Sequence, residues 1–122
     1  MKDTYQTGVA GELTAAEWLQ RNRGMSLLET RRRTKAGEID LIMTDGDTVV
    51  FVEVKTRRNA APGSGLIAVD SRKQRRIARA AMLYLLEKQW TGRAVRFDVT
   101  EVNRQQVIHI PNAFQPGGMF FR

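Results

Sequence analysis

The spacing of apolar side chains changes several times along this chain, and each change marks a predicted element. Residues 7–22 have the period of an amphipathic helix and stop at Gly24, a common helix terminator. A second helical pattern begins at Ser71, where Gln74 completes a capping box, and ends at residues 90–92. Strand-like patterns occupy other stretches, namely residues 25–29, the two halves of 37–57, 94–102 and 107–110. The predicted order is helix, three strands, helix and two strands, which favours an α/β layer arrangement with a mixed sheet.

Charged side chains interrupt both strands of the predicted hairpin over residues 37–57. Glu38 and Asp40 lie on the first strand, and Glu53 and Lys55 lie on the second. Side chains alternate between the two faces of a strand, so Glu38 shares a face with Asp40, and Glu53 shares one with Lys55. Whether the two polar rows meet on one face depends on the turn between the strands.

The turn sequence Asp45-Gly46 predicts a two-residue type I′ loop. That loop pairs Glu38 with Glu53 and makes Asp40 and Glu53 diagonal neighbours on one face, roughly 7–8 Å apart at the backbone. A metal ion or a water molecule fits between two carboxylates at that separation. A three-residue loop would turn Glu53 to the opposite face, because one step of register inverts a strand. The shared polar face therefore requires an even-numbered loop.

The first predicted helix carries a carboxylate in the middle of its apolar face. At 100° per residue, Val9, Ala15, Ala16 and Leu19 form one arc, and Glu12 falls near its centre. Burying a carboxylate without a partner or a metal is expensive, so a functional role is one interpretation of Glu12 at this position. The simpler alternative is a half-exposed glutamate near the helix N-terminus, where the helix dipole favours negative charge.

Composition excludes several classes of protein. The 122 residues, 42% of them hydrophobic, predict a single folded domain over residues 1–122. No stretch approaches the ~20 apolar residues that span a bilayer, and no signal-peptide pattern precedes the first helix. The absence of cysteine excludes disulfides and fits a reducing cytoplasm. No glycine-rich phosphate loop is present, and the sole histidine, His109, suggests no catalytic triad.

The formal net charge of +7 favours a polyanionic partner, and nucleic acid before an acidic membrane. The largest basic patch lies at the start of the second helix, and two further arginines lie at the root of the loop that precedes it. We expect the following side chains to contact nucleic acid: Arg57, Arg58, Arg72, Lys73, Arg75, Arg76 and Arg79. The basic run of residues 31–35 lies just before Asp40, where a phosphate-contacting edge is plausible. A solvated surface that keeps the protein soluble is the alternative for each cluster.

The set that remains for catalysis is Glu12, Asp40, Glu53 and Lys55. Hard oxygen ligands select Mg²⁺ or Mn²⁺, which usually bind one or two carboxylates together with waters and phosphate oxygens. The reaction that such an ion serves is phosphodiester hydrolysis. The ion lowers the pKa of its water and neutralises charge on the phosphoryl group, and a lysine orients the nucleophile or steadies the transition state.

These residues also carry a resemblance to known proteins. Asp40, twelve intervening residues and Glu53-Val54-Lys55 resemble the PD-(D/E)xK signature of the restriction-endonuclease-like nucleases, and Glu12 is similar to the early-helix glutamate of archaeal Holliday-junction resolvases. Over nearly its entire length the chain more closely resembles the bacterial YraN family, an uncharacterised group of predicted nucleases. The matching segments are GVAGE at 8–12, GEIDLI at 37–42, VEVK at 52–55, AVDSRK at 68–73, RFD at 96–98 and NAF at 112–114.

The resemblance implies a restriction-endonuclease-like core, in which helices flank a mixed sheet and the four residues gather at one edge. It implies that Asp40 and Glu53 hold Mg²⁺ or Mn²⁺, with the backbone carbonyl of Val54 as an added ligand. Lys55 would position the attacking water, and Glu12 would bind a second ion or orient a water. By analogy with resolvases, which cut two strands symmetrically, the resemblance also suggests a homodimer.

Three functions therefore stay open at the level of sequence. The leading hypothesis is a metal-dependent nuclease acting on DNA, including branched or damaged DNA. The second is a nucleic-acid-binding module that keeps the nuclease fold with little or no catalysis, and the third is a small interaction or assembly factor. The intact set of carboxylates and lysine favours the first over the second, and the clustered arginines favour either over the third.

Overall fold

The computed structural model describes residues 4–57, 69–104 and 106–115. The elements in chain order are α1 (Thr4–Arg23), β1 (Ser26–Thr34), β2 (Gly37–Asp45), β3 (Thr48–Thr56), α2 (Ser71–Lys88), β4 (Val95–Val102) and β5 (Val107–Ile110). The predicted order is confirmed. The largest differences in the boundaries are that α1 begins at Thr4 rather than residue 7, β1 continues through the basic run to Thr34, and α2 ends at Lys88 rather than at residues 90–92.

The five strands form one mixed sheet in the order β1-β2-β3-β4-β5. Neighbouring strands are antiparallel except for β3 and β4, which are parallel. A parallel pair needs a crossover connection, and α2 lies within the connection between these two strands. The predicted α/β class, a mixed sheet flanked by helices, is confirmed. No helix in the described ranges is both long and apolar enough to cross a membrane.

Each helix covers one face of the sheet with its own apolar cluster. On the α2 side, an apolar stripe of the helix that includes Ile77, Ala81 and Leu85 is buried with Phe51 and Phe97. On the α1 side, the buried positions of the helix pack on alternate residues of β2 and β3, namely Ala15, Ala16, Leu19, Leu41, Met43, Val50 and Val52. Because β3 is covered on both faces, its apolar residues are nearly continuous.

The start of α2 differs from the predicted capping box. The N-cap is Asp70 rather than Ser71, and its Oδ1 accepts a 3.0 Å hydrogen bond from the backbone N–H of Lys73. The Gln74 side chain donates instead to the carbonyl of Val69. Aspartate is as strong an N-cap as serine, so an Asp-Ser pair leaves the starting residue ambiguous in sequence alone.

The hairpin of β2 and β3 has an even-numbered loop, as predicted, but the loop is Gly46-Asp47 and Asp45 pairs with Thr48. Gly46 has φ 59°, whereas Asp47 is not left-handed. This pattern fits a type II′ turn, with glycine first, rather than the predicted type I′ turn. The pairing therefore shifts by one residue on each strand, while the assignment of residues to faces keeps the same parity.

The ladder between β2 and β3 ends at the pair Leu41–Val52. Beyond this pair, β2 stays bonded to β1 and β3 stays bonded to β4. The predicted pairing of Glu38 with Glu53 is therefore wrong, and Asp40 lies where the two halves of the sheet separate. We call this place the strand opening.

The alternation of side chains along β2 also changes at this point. Ile39 packs in the cluster on the α2 side together with Ile42, whereas strict alternation predicts that it joins Leu41 and Met43 on the α1 side. The change of face falls at Asp40, between Ile39 and Leu41. The regular alternation of faces along β2 is therefore broken next to Asp40, at the level of the strand opening.

Candidate active site

The four residues selected from the sequence surround the strand opening and come from three elements. Glu12 projects from α1, Asp40 from β2, and Glu53 and Lys55 from β3. Nζ of Lys55 lies 3.3 Å from Oε1 of Glu53. The charge of Asp40 acts on the pKa values of both Glu12 and Glu53, so the three carboxylates are electrostatic neighbours. The predicted gathering of these side chains is found in the structure.

A backbone donor fixes Asp40 in the strand opening. The N–H of Val54 donates a 2.9 Å hydrogen bond to Oδ2 of Asp40. The side chain of Asp40 thus takes a bond that a continuous ladder would have given to a backbone carbonyl. The arrangement orients the carboxylate of Asp40 toward the strand that carries Glu53 and Lys55.

The carboxylates of the site are held at raised pKa values. Burial and then the charge of Asp40 raise the pKa of Glu53 to about 7, against the opposing effect of Lys55. Burial likewise raises the pKa of Asp40, opposed by the N–H of Val54 and by Lys55. Burial and then Asp40 raise the pKa of Glu12 to about 7. Burial is thus the first cause of all three raised pKa values, and a cation bound beside these carboxylates would lower them.

Glu12 is buried, with 7% of its surface exposed, so the half-exposed alternative for this residue is wrong. Its position follows from a close approach of α1 to the end of β3, where a Cβ on Gly11 would lie 2.3 Å from Oγ1 of Thr56. The carboxylate is engaged by Arg31, whose Nε lies 2.9 Å from Oε1. Helix α1 thus carries Glu12 to the site already paired with an arginine.

The donor groups fit a single hard cation better than a closed metal cage. In the described parts of the chain, no group of three or more His, Cys, Asp and Glu residues is arranged to hold a metal ion. Asp40 and Glu53 supply two carboxylates, whose pKa values burial raises. Mg²⁺ in proteins commonly takes one or two carboxylates and completes its shell with waters and phosphate oxygens.

A basic groove lies at the start of α2. The four arginines of the basic patch on α2 are exposed, and Lys73 is half-buried. The groove has a volume of about 460 Å³ and is lined by Ala36, Asp70, Arg72, Lys73, Arg76 and Arg79. The stem of Arg76 packs on Gly37, and its charge acts to lower the pKa of Glu53. Arg76 therefore connects the groove to the strand opening.

Arg57, which is also predicted to contact nucleic acid, is not among the described residues that line the groove at the start of α2. Arg57 is half-buried, and its backbone N–H donates to the carbonyl of Val102. Arg58 lies outside the described residues.

The basic run before Asp40 is not the free cationic edge that its sequence suggests. Its arginines lie within β1 and pair with carboxylates: Arg31 with Glu12 at 2.9 Å, Arg32 with Glu29 at 3.1 Å, and Arg33 with Glu38 at 3.7 Å. Arg33 remains 90% exposed, while Arg31 and Arg32 are largely covered. Sequence reasoning missed the role of Arg31 because a charge run does not reveal which partners a fold supplies.

A second polar network, on the α1 side of the sheet, gives His109 the partners that its sequence did not reveal. Nε2 of His109 lies 2.7 Å from Oδ2 of the fully buried Asp98, and Nε of Arg23 donates to Nδ1 at 3.2 Å. Arg96 donates to both carboxylate oxygens of Asp98. Since Nδ1 accepts from an arginine, the ring proton lies on Nε2 and is donated to Asp98. This network joins α1, β4 and β5.

The fold and the site together define a class, an α/β protein with a carboxylate and lysine set at an opening in a mixed sheet. Residues 11–102 match the model of the uncharacterised protein family UPF0102, and the chain belongs to this family, the YraN family that its motifs indicated.

Relatives from several bacteria are similar over most of their length. A UPF0102 protein of Geobacter metallireducens is 42% identical over 112 residues, covering 88% of this chain and 91% of the relative. One from Alkalilimnicola ehrlichii is 45% identical over 114 residues, covering 93% and 90%. One from Pseudomonas putida is 47% identical over 95 residues, covering 77% and 76%.

A solved structure titled "Crystal structure of SSO0001" is similar with a TM-score of 0.43 and 16% sequence identity. The similarity covers 88% of this chain and 50% of that one, so the chain spans half the length of that protein.

Proposed function

We propose that this protein is a metal-dependent endonuclease that hydrolyses phosphodiester bonds in nucleic acid, with DNA, including branched or damaged DNA, as its substrate. The observation that carries the proposal is the meeting of Asp40, Glu53 and Lys55 at the strand opening, with the pKa values of both carboxylates raised. A half-buried acidic pair beside a lysine, in a protein with a cationic groove at the start of α2, suits a polyanionic substrate and a hard cation.

Asp40 and Glu53 are the residues that would hold Mg²⁺ or Mn²⁺. The N–H and C=O of a strand residue point toward the same neighbouring strand, so the carbonyl of Val54 is directed to the side on which its N–H meets Asp40. This geometry supports Val54 as the added backbone ligand. When bound, the ion supplies charge stabilisation for the phosphoryl group and lowers the pKa of a coordinated water.

Lys55 is the residue that orients the attacking water in this proposal. Its ammonium is anchored 3.3 Å from Oε1 of Glu53, which keeps it at the strand opening, while the remaining donors of the ammonium stay available to a nucleophile or a phosphate oxygen. Glu12 faces Asp40 from α1 and, in this proposal, orients a water or binds a second ion.

The groove along α2 is the proposed path of the nucleic-acid backbone. Arg72, Arg75, Arg76 and Arg79 are exposed along one helix, and guanidinium groups bind phosphates in bidentate geometry. The charge of Arg76 acts to lower the pKa of Glu53, which supports a path for the strand from this groove toward the site. A cytoplasmic location, which the cysteine-free sequence favours, would give access to chromosomal DNA.

A cleavage assay tests the catalytic proposal. Plasmid, single-stranded and four-way-junction DNA are incubated with the protein in Mg²⁺ or Mn²⁺ and compared with Asp40→Asn and with the control Asp47→Asn. Asp47 is an exposed loop residue at the far end of the same hairpin, so the control makes an identical chemical change away from the site. We expect Asp40→Asn alone to lose cleavage. Equal cleavage by both variants would reveal a contaminant and overturn the assignment.

A second candidate function is a nucleic-acid-binding module with little or no catalysis. It is favoured by the lack of a three-ligand metal cage in the described residues and by the engagement of Glu12 with Arg31. If no substrate is cut, titrations at rising salt separate this module from an interaction protein, because phosphate contacts make affinity fall steeply with salt.

Symmetric cutting of a branched junction would also call for a homodimer, which light scattering with and without junction DNA would reveal.

A further inference from the structure

The guanidinium of Arg31 lies against the carboxylate of Glu12. Its Nε is 2.9 Å from Oε1 of Glu12, and its Nη1 is 3.5 Å from Oε1 of Glu38. The guanidinium thus bridges a carboxylate from α1 and one from β2. Its positive charge acts to lower the pKa values of Glu12 and Asp40, which burial raises.

The backbone of β1 is distorted at the residue that makes these contacts. Arg31 has φ 48°, in the left-handed region that a long side chain rarely adopts. The strands β1 and β2 pair at Thr30–Leu41 and at Arg32–Ile39, and the left-handed Arg31 lies between these two pairs. Strained residues of this kind persist where the surrounding structure over-determines them, and they cluster at functional sites.

Helix α1 leaves room for the guanidinium by having a glycine above it. A Cβ on Gly8 would lie 2.9 Å from Nη2 of Arg31. One turn further along the helix, Gly11 allows the approach to Thr56 that carries Glu12 inward. The helix, the left-handed strand residue and the two carboxylates therefore form a built environment around one fixed positive charge.

We infer that the guanidinium of Arg31 serves as a built-in cation on Glu12, so that the site binds one divalent ion, at Asp40 and Glu53, instead of two. The inference rests on the proposed function, since it concerns the metal stoichiometry of the same site. An arginine keeps its charge at every working pH, and a second divalent ion at Glu12 would meet that charge at close range. Arg31 is thus a positioning residue that decides what Glu12 can bind.

The test counts bound Mn²⁺ by electron paramagnetic resonance or equilibrium dialysis, without reference to activity. We expect one ion per chain in the wild type and two in Arg31→Asn, because Glu12 and Glu38 then lose the guanidinium that lies between them. Asparagine tolerates the left-handed region, so this variant removes the charge and spares the backbone conformation. Arg31→Lys restores a cation and returns the count to one.

Arg33→Gln is the matched control, since it removes one positive charge from the same strand at a side chain that is 90% exposed. Its count stays at one ion. A count of two in the wild type, or of one in Arg31→Asn, overturns the inference and leaves the proposed metal site intact. A count of zero in the wild type overturns both, so the two failures are distinguishable.

Glu12→Gln gives a second route that does not depend on the folding of the Arg31 variant. Because Glu12 does not hold the single ion in this inference, the affinity for Mn²⁺ changes by less than about tenfold, the smallest loss usual for a residue that supports a metal ligand. A larger loss would make Glu12 a ligand of that ion and refute the inference. Circular dichroism of every variant confirms that the compared chains are folded.

Discussion

The backbone N–H of Val54 donates to the carboxylate of Asp40, over 2.9 Å, at the place where β2 and β3 stop pairing. The side chain of Asp40 on β2 thus bonds to β3 where the backbone ladder between the two strands has ended. The bond orients Asp40 toward Glu53 and Lys55, and it leaves the strand opening bounded by these charged groups. The proposed chemistry depends on this separation, because a continuous ladder would fill the space in which a cation and a phosphate must fit.

Lys55→Met separates nucleophile positioning from metal binding. We expect the rate of cleavage to fall by about 10²–10³, the loss typical of removing one preorganised charged or donor group. Mn²⁺ binding should stay intact, because the ammonium is not a ligand and its removal relieves repulsion toward the ion. Rapid-quench cleavage and Mn²⁺ titration measure the two properties. A parallel loss of both would assign Lys55 to the architecture of the metal site.

Glu53→Gln should stabilise the protein in metal-free buffer at high pH. The pKa of Glu53 is raised from 4.5 to about 7, so this group contributes its full stability below pH 4.5 and loses it as the pH rises through about 7. At pH 8 the variant should exceed the wild type by up to about 3 kcal/mol in free energy of unfolding. Urea unfolding at pH 5 and pH 8 measures the difference. A gain in the free energy of unfolding of the same size at pH 5 and at pH 8 would show that the raised pKa of Glu53 is not its cause.

Added Mg²⁺ should narrow that difference at pH 8. The ion binds the native wild type and stabilises it by mass action, whereas Glu53→Gln lacks one of the two proposed ligands. The measurement is the midpoint of thermal unfolding with and without Mg²⁺, with Ca²⁺ as a comparison ion. An equal shift of the midpoint in both proteins would place the ion elsewhere.

Asp98→Asn should destabilise the protein by about 3 kcal/mol, since it removes the carboxylate from the buried His109 ring and one of the two carboxylates, Asp98 and Asp45, that the Arg96 guanidinium contacts. Burial acts to raise the pKa of Asp98, but the hydrogen bonds from His109, Arg96 and the N–H of Asn112 outweigh it and hold the pKa below 3.8. The wild type therefore loses this stability as the pH falls below 3.8, through the lowered pKa. Acid unfolding of the variant should lack that component, and identical acid transitions would refute the assignment.

Gly11→Ala and Thr56→Ala should be strongly non-additive. Alanine stabilises a helix interior by about 1 kcal/mol over glycine, but a Cβ at residue 11 would lie 2.3 Å from Oγ1 of Thr56. The double variant, which lacks that hydroxyl, should gain this stability, and Gly11→Ala alone should not. Urea unfolding of the wild type, the two single variants and the double variant gives the coupling free energy between the two positions. A coupling free energy near zero would show that the contact between α1 and β3 is loose.

Replacement of the α2 arginines should weaken binding to DNA and reduce its dependence on salt. Each phosphate-contacting arginine changed to glutamine lowers the slope of log K against log salt by about one. Arg76→Gln and Arg79→Gln are compared with Arg93→Gln, which removes the same charge from an exposed side chain stacked on Trp90 beyond the other end of α2. An unchanged slope in the first two variants would remove the groove from the proposed path.

The strand and helix patterns identified the order of elements because periodicity is a local property of the sequence. The even-numbered hairpin loop also followed from a local signal, and it is found in the structure. The residues of the turn were placed one position too early, since Asp45-Gly46 and Gly46-Asp47 are both acceptable loops in isolation. The register of β3 with its neighbours decides between them, and that register depends on contacts far apart in the chain.

The sequence by itself determined which residue types are available for chemistry, namely three carboxylates and a lysine on elements that could meet. The tertiary structure alone decided that the sheet opens at Asp40, that Val54 bonds its side chain, and that Arg31 is paired with Glu12. The reason is physical. Alternation and helical spacing act within one element, whereas a strand opening and an ion pair between α1 and β1 depend on how elements pack against one another.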